Sequence, residues 1–299
     1  MIGRPLFSGF ALGRTHLAIP VALVLVLGCI VPLGVLVVFS VFEVDFDAFV
    51  LMPALSPRAW SDLFHTWSFW VLIGKAVISG AAAALTTSIL GYPIALALAS
   101  APLNWKGIGT VVLLTPLYTG EIVRIYAWRI VLGSEGLINT LLLDLHIVAS
   151  PVKWLLFTPF TTALVLTYNN LPYMVLAIWV SAEMVDKRLI EAARDLGARP
   201  LDAFFKVTLP LTTPGLAAGV FAVFALAAGE MLTPSLLGGT SGQTAMAMID
   251  NLFGTAFDWP LASALALALL AALFLTAVAL GFCLTRFKGA RAVIGRGRA

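Results

Sequence analysis

The sequence predicts an all-α polytopic membrane protein with six transmembrane helices. Three observations carry this. The chain is 61% hydrophobic and only 11% charged, with a mean hydropathy of +1.01, whereas soluble chains carry about 25% charged residues. Six apolar runs, at 17–42, 70–100, 107–132, 157–182, 211–236 and 261–286, are each long enough for a helical crossing, which needs about 20 residues. No alternating ten-residue segments suggest a membrane barrel.

The first run follows Arg4 and Arg14. It is too long for a signal-peptide core and no small-residue cleavage site follows, so it is expected to stay as a helix. The chain then divides into residues 1–69 (tail, first helix and outer loop), 70–286 (a five-helix core with a polar loop at 183–210) and a basic tail at 287–299.

Basic residues set the orientation. With the N-terminus inside, thirteen Lys and Arg fall in inner segments: Arg4, Arg14, Lys106, Lys187, Arg188, Arg194, Arg199, Lys206, Arg286, Lys288, Arg291, Arg296 and Arg298. Only Arg58 and Lys153 fall outside, and Lys75 lies just within the second span. Both termini and the polar loop are therefore expected in the cytoplasm, with the tail anchored on anionic lipid. The outer loops hold Glu43, Asp45, Asp47, Asp62, Glu135, Asp144, Asp250 and Asp258. That acidity would attract cations or a basic partner, although the same charge segregation produces it anyway. Nothing points to nucleic acid.

Several spans carry costly polar groups. Glu121 and Arg124 are three residues apart and could pair on one helix. Arg129 follows on the same run, and Pro116, Gly120 and Gly133 flank it. The fourth span holds Tyr168-Asn169-Asn170-Leu171-Pro172-Tyr173, a polar patch expected to be broken at the proline. Asn169, Asn170 and Tyr173 could bond across helices or to a passing solute. Gly215 and Gly219 in the fifth span form a close-packing pair. Beyond them Glu230 lies beside Pro234 and several glycines, where a loosened helix should face a cavity or protein. Cys29, Cys283, His16, His65 and His146 show no ligand spacing, so no metal site is expected.

The polar loop is the most informative stretch. Between Glu183 and Lys206 lie ten of the chain's 18 basic and 15 acidic side chains. Glu191-Ala192-Ala193-Arg194-Asp195-Leu196 is a good helix former, Gly197 a natural stop, and Pro200 suits the first turn of a second short helix bearing Phe204 and Phe205.

The spacing from Glu191-Ala192-Ala193 through Gly197 to Val207-Thr208-Leu209-Pro210 resembles the EAA loop of bacterial ABC-importer permeases. Val123–Trp128, Glu135–Asn139, Leu171–Leu176, Asp186–Glu191, Thr208–Gly219 and Asp258–Pro260 extend the likeness to permeases of the spermidine/putrescine type, from about residue 70 onward. The resemblance implies the type I importer (MetI-like) fold. It also implies a second homologous permease subunit, two ATPase subunits and a periplasmic or lipid-anchored solute-binding protein. In that family the loop docks on the ATPase, which implicates Glu191, Ala192, Ala193, Gly197, Phe204, Phe205, Leu209 and Pro210. No phosphate-binding loop is present, so no cofactor is expected on this chain, with ATP and Mg on the ATPase. Glu230, Asn169, Asn170, Tyr173 and Glu121 are the candidates for the substrate path.

The expected function is a non-catalytic permease subunit for a polyamine or related organic cation. Relatives with similar motifs carry opines, phosphonates or ferric iron. A proton-coupled secondary transporter using Glu121 or Glu230 is the alternative of a different class. A membrane enzyme lacks any nucleophile–base or metal-ligand constellation.

Overall fold

The computed structural model describes the backbone of residues 14–296 and the side chains of 23–282. Expectations resting on the side chains of Arg4, Arg14, His16, Cys283, Arg286 and the basic positions of the 287–299 tail lie outside the described residues.

The chain forms two units. The first holds helix α1 (Arg14–Phe39), a hairpin of β1 (Glu43–Asp45) and β2 (Val50–Met52), helix α2 (Arg58–His65) and residues Leu252–Leu267. The strands are antiparallel, with Val44 opposite Leu51. The Asp45 carboxylate accepts from the amides of Asp47 (2.9 Å) and Ala48 (3.1 Å), which closes the hairpin turn. Trp60 Nε1 donates to Ser40 Oγ at 3.3 Å, joining α2 to the end of α1. Asp258 accepts from the amide of Leu261 at 3.1 Å and caps the long final helix α13 (Trp259–Arg296). Asp62 pairs with Arg58 at 3.6 Å. Three of the acids expected on one face thus have local structural partners.

The second unit is a bundle around α3 (Trp67–Ser100), α7 (Pro159–Glu183) and α10 (Leu209–Ala228). Its core contains Ala83, Ala84, Tyr92, Leu166, Met174, Val175, Ile178, Val223 and Phe224, and Leu273, Ala277 and Leu280 of α13 pack against it. Small residues let the backbones close. A Cβ at Gly215 would lie 2.4 Å from the Ala177 carbonyl, and one at Gly219 would lie 2.6 Å from Met174 Sδ. The expected Gly215–Gly219 packing is therefore the α7–α10 contact. Thr86 and Thr167 hydroxyls meet at 2.7 Å between α3 and α7. Outside these contacts the long helices present apolar side chains to their surroundings, as lipid-facing helices do.

Among the described residues, α3, α7, the run from Pro200 to Ala228 and α13 are long and apolar enough to cross a membrane. The third expected span is not one helix. It divides into α4 (Leu103–Tyr118) and α5 (Glu121–Leu132), and α4 is bent 98° from the following α5–α6 segment, with α6 at Leu137–Asp144. The fifth stops at Ala228 and resumes as the short α11 (Leu232–Leu237), then α12 (Ala245–Phe253). Conversely, the expected break at Pro172 does not occur, because α7 runs through it. Asn139 explains the Glu135–Asn139 motif: its side chain donates to the Gly133 carbonyl (2.9 Å) and accepts from the Val152 amide (2.7 Å), fixing the turn after α5.

Candidate coupling loop and path residues

The polar loop folds largely as its residues dictate. Helix α8 (Lys187–Asp195) carries Glu191, Ala192 and Ala193. Asp186 caps it by accepting from the Arg188 amide at 2.9 Å. Its end is a Schellman turn: Gly197 N–H donates to Arg194 O (2.8 Å) and Ala198 N–H to Ala193 O (3.0 Å). Gly197 has φ +82°, the left-handed region where a side chain is strained. No residue of α8 is buried. Leu189, Leu196 and Leu201 are 50%, 90% and 71% exposed, an apolar edge on an otherwise charged loop. Glu191, Lys187 and Arg194 line a cleft between α8 and the ends of α3 and α7.

The second arm differs from the expected separate short helix. Helix α9 (Pro200–Ala203) passes through a π-helical turn, Phe204–Thr208, directly into α10. Pro210 has no N–H to give the Lys206 carbonyl and its ring crowds it, so the ladder widens there. The wider turn rotates Phe204 inward. Its ring packs edge-on against Tyr92 of α3 at 5.5 Å and against Phe205 at 4.9 Å. The Tyr92 hydroxyl bonds the buried Thr212 Oγ1. Leu209 also packs on the core, and Pro210 sits in the first turn of α10. Phe205 is 49% exposed. The two phenylalanines are thus not an equivalent pair of surface pegs. Tyr92 and Thr212 hold this arm, and neither carried a motif that marked it in the sequence.

The path candidates divide too. Glu121 opens α5, and Glu230 fills the gap between α10 and α11. Glu230 Oε1 accepts from the amides of Leu232 (2.9 Å) and Thr233 (3.4 Å), capping α11. The Glu121 carboxyl is a close neighbour of the Glu230 carboxyl. Helices α5, α7 and α11 meet alongside through Ile125, Val165 and Leu237, all 0–1% exposed.

The expected Glu121–Arg124 ion pair is absent. Arg124 Nη1 instead donates to the Pro116 carbonyl at 2.8 Å, one of the acceptors left open where α4 ends. Arg124 also lines a cleft with Trp128 and Tyr168, whose rings meet at 5.3 Å. Arg129 lies over the Phe157 ring at 5.4 Å.

Asn170 is buried and donates to the Leu166 carbonyl of its own helix at 2.8 Å, a structural bond. Tyr173 is 41% exposed. Asn169 is buried, yet neither its Oδ1 nor its Nδ2 has a partner among the described residues. Thr233 was not singled out by its sequence, and its buried Oγ1 is also unpartnered.

Comparisons with known proteins agree with this architecture. The family model described as "Binding-protein-dependent transport system inner membrane component" matches residues 111–286. The spermidine/putrescine transport system permease protein PotB of Haemophilus influenzae is 33% identical over 210 residues, 70% of this chain and 73% of that one. PotB of Escherichia coli K12 is 36% identical over 187 residues, 62% of this chain and 68% of that one. A crystal structure of a bacterial alginate ABC transporter in complex with an alginate pentasaccharide-bound periplasmic protein matches with a TM-score of 0.66. The match covers 88% of this chain and 91% of that one at 15% identity, a likeness of fold. The chain belongs to the binding-protein-dependent transport system inner membrane components, the membrane-spanning permease subunits of ABC importers.

Proposed function

We propose that this permease subunit conducts a polyamine or related organic cation, and that Glu121 and Glu230 line its path. The neighbouring carboxyls carry the reading. Two neighbouring acids repel when both are charged, and a cation beside them relieves the repulsion. Arg124, the nearest base in sequence, is bonded elsewhere. The similarity to spermidine/putrescine permeases supports the same solute class.

The chain would work with a second related permease, two ATPase subunits that bind ATP and Mg, and an extracytoplasmic binding protein. Lys and Arg placement supports a cytoplasmic α8 and cytoplasmic termini. With that orientation α8 and the exposed Leu189, Leu196 and Leu201 of the loop face the ATPase. Phe204, Tyr92 and Thr212 would pass movement of α8 into α3 and α10. ATP binding would draw the coupling helices together, and the bundle would shift between two packings.

Uptake of labelled putrescine or spermidine into proteoliposomes holding the complete importer tests the proposal. ATP-dependent accumulation is expected. Accumulation of an opine, a phosphonate or ferric iron instead, with none of either amine, would contradict it.

A further inference from the structure

We propose that Asn169 and Thr233 join the Glu121–Glu230 pair in one polar site, which selects ammonium groups that carry N–H donors over quaternary ones. This rests on the reading of the carboxyl pair as a cation site.

The first observation is the pair of orphaned groups. Asn169 is 7% exposed and Thr233 0%, and three of their side-chain polar atoms lack a partner among the described residues. Buried polar side chains are nearly always satisfied. Arg124 Nε, Trp259 Nε1 and Ser263 Oγ are unpartnered too, but the other buried polar side chains of α3, α7 and α10 obey that rule. Asn170 bonds the Leu166 carbonyl, and Thr87, Thr167 and Thr212 bond carbonyls one turn back on their own helices. The α7 backbone was equally open to Asn169, so its lack of a bond there reflects where it points.

The second is register. The chain from α10 through α11 runs antiparallel to α7: Gly215 approaches Ser181, Gly219 Met174, Gly238 Thr162 and Gly239 Phe157. Two turns along α7 from Thr162, on the same face, is Asn169. Two turns back along the chain from Gly238 is Met231, between Glu230 and Thr233. This order sets Asn169 level with the gap that Glu230 occupies, and the Thr233 amide donates to Glu230 at 3.4 Å.

The third is access. Leu166 and Pro234, one turn and one residue from the two orphans, lie in the wall of a cleft of about 320 Å³. Lys75, Thr162, Gln243 and Thr244 are among the other residues of that wall. Gly229 ends α10 and Gly238 ends α11, on either side of the segment that holds Glu230 and Thr233.

The chemistry then specifies the ligand. Ionised carboxylates only accept, and the Asn169 amide oxygen and Thr233 hydroxyl add two more acceptors. A primary ammonium brings three donors and can meet both neutral oxygens and one acid, with the second acid's charge beside it. A trimethylammonium brings none. It is recognised instead by aromatic faces, and Tyr168 lies on a neighbouring face of α7, against Trp128.

The test uses proteoliposomes with the complete importer and its binding protein, comparing putrescine with (4-aminobutyl)trimethylammonium. The binding protein is constant, so a changed preference between the two belongs to the permease. The wild type should prefer putrescine. Asn169→Leu and Thr233→Val should each reduce that preference about tenfold, the worth of a hydrogen bond to a charged group. Asn169→Asp, which keeps the acceptor and the shape, should retain it and guards against simple misfolding of the leucine variant. Assembled variants with an unchanged preference would overturn the proposal alone. A wild type that carries neither amine would remove the cation reading and this proposal together.

Discussion

Phe204 packs edge-on against Tyr92, ring centroids 5.5 Å apart, and so fastens the arm of the polar loop to the middle of the bundle. Phe204→Ala should remove a partly buried ring and cost about 2–3 kcal/mol, at or below the range for Phe truncation. A fluorescence melt of the purified complex should show a lower midpoint, with Phe205→Ala closer to wild type. An unchanged melt for Phe204→Ala, with loss of the ATPase during purification, would make Phe204 a docking peg instead.

The Gly197 turn supports a second prediction. At φ +82° a β-branched residue is strained by about 1–2 kcal/mol. Gly197→Val should leave the protein in the membrane but abolish uptake, while Gly197→Asn should be tolerated, since Asn visits this region. Glu191→Lys should behave like the valine variant, because Glu191 is exposed on α8. Normal transport by both Gly197→Val and Glu191→Lys would remove the coupling role of this loop.

The polar pairs make a third. Arg124 bonds the Pro116 carbonyl and makes no ion pair with Glu121. Changing Glu121 to Gln and Arg124 to Met together should therefore give no rescue of expression over the worse single variant. Glu121→Gln and Glu230→Gln should instead be strongly non-additive in uptake, because those carboxyls are close neighbours. Rescue of expression in the Glu121–Arg124 double variant would restore the ion pair.

Helix packing gives a fourth. Gly215→Val places methyl groups where even a Cβ would lie 2.4 Å from the Ala177 carbonyl. Backbone cannot yield as a flexible side chain does, so the variant should fail to accumulate in membranes. Gly74→Val, whose Cβ would meet nothing within 4 Å, should accumulate normally. Equal amounts of the two proteins would contradict the close α7–α10 contact.

Local features were legible in the sequence, and tertiary ones were not. Asp186, Gly197 and Pro200 act through the backbone next to them, so the α8 turn could be read directly. Hydropathy averages across Thr119 and Gly120, which hid the bend between α4 and α5. Proline did not resolve it, since Pro93, Pro172 and Pro214 sit inside continuous helices. Beyond Pro116 the helix ends, and Arg124 takes up a carbonyl of the last turn. Nor could spacing reveal that Glu121 would meet Glu230 rather than Arg124. That pairing depends on how α11 docks against α5 and α7, a property of packing.

The most direct test of the carboxyl site is ATP-driven putrescine uptake by the reconstituted importer carrying Glu230→Gln. Glutamine keeps the oxygen that caps α11, so assembly and melting should match wild type. The lost charge was worth roughly 4 kcal/mol at about 4 Å and an effective dielectric of 20, before desolvation. Uptake should therefore fall by about one to two orders of magnitude, with ATPase co-purification unchanged. Undiminished uptake in Glu230→Gln, alongside loss in Glu230→Leu, would show that Glu230 serves only to cap α11.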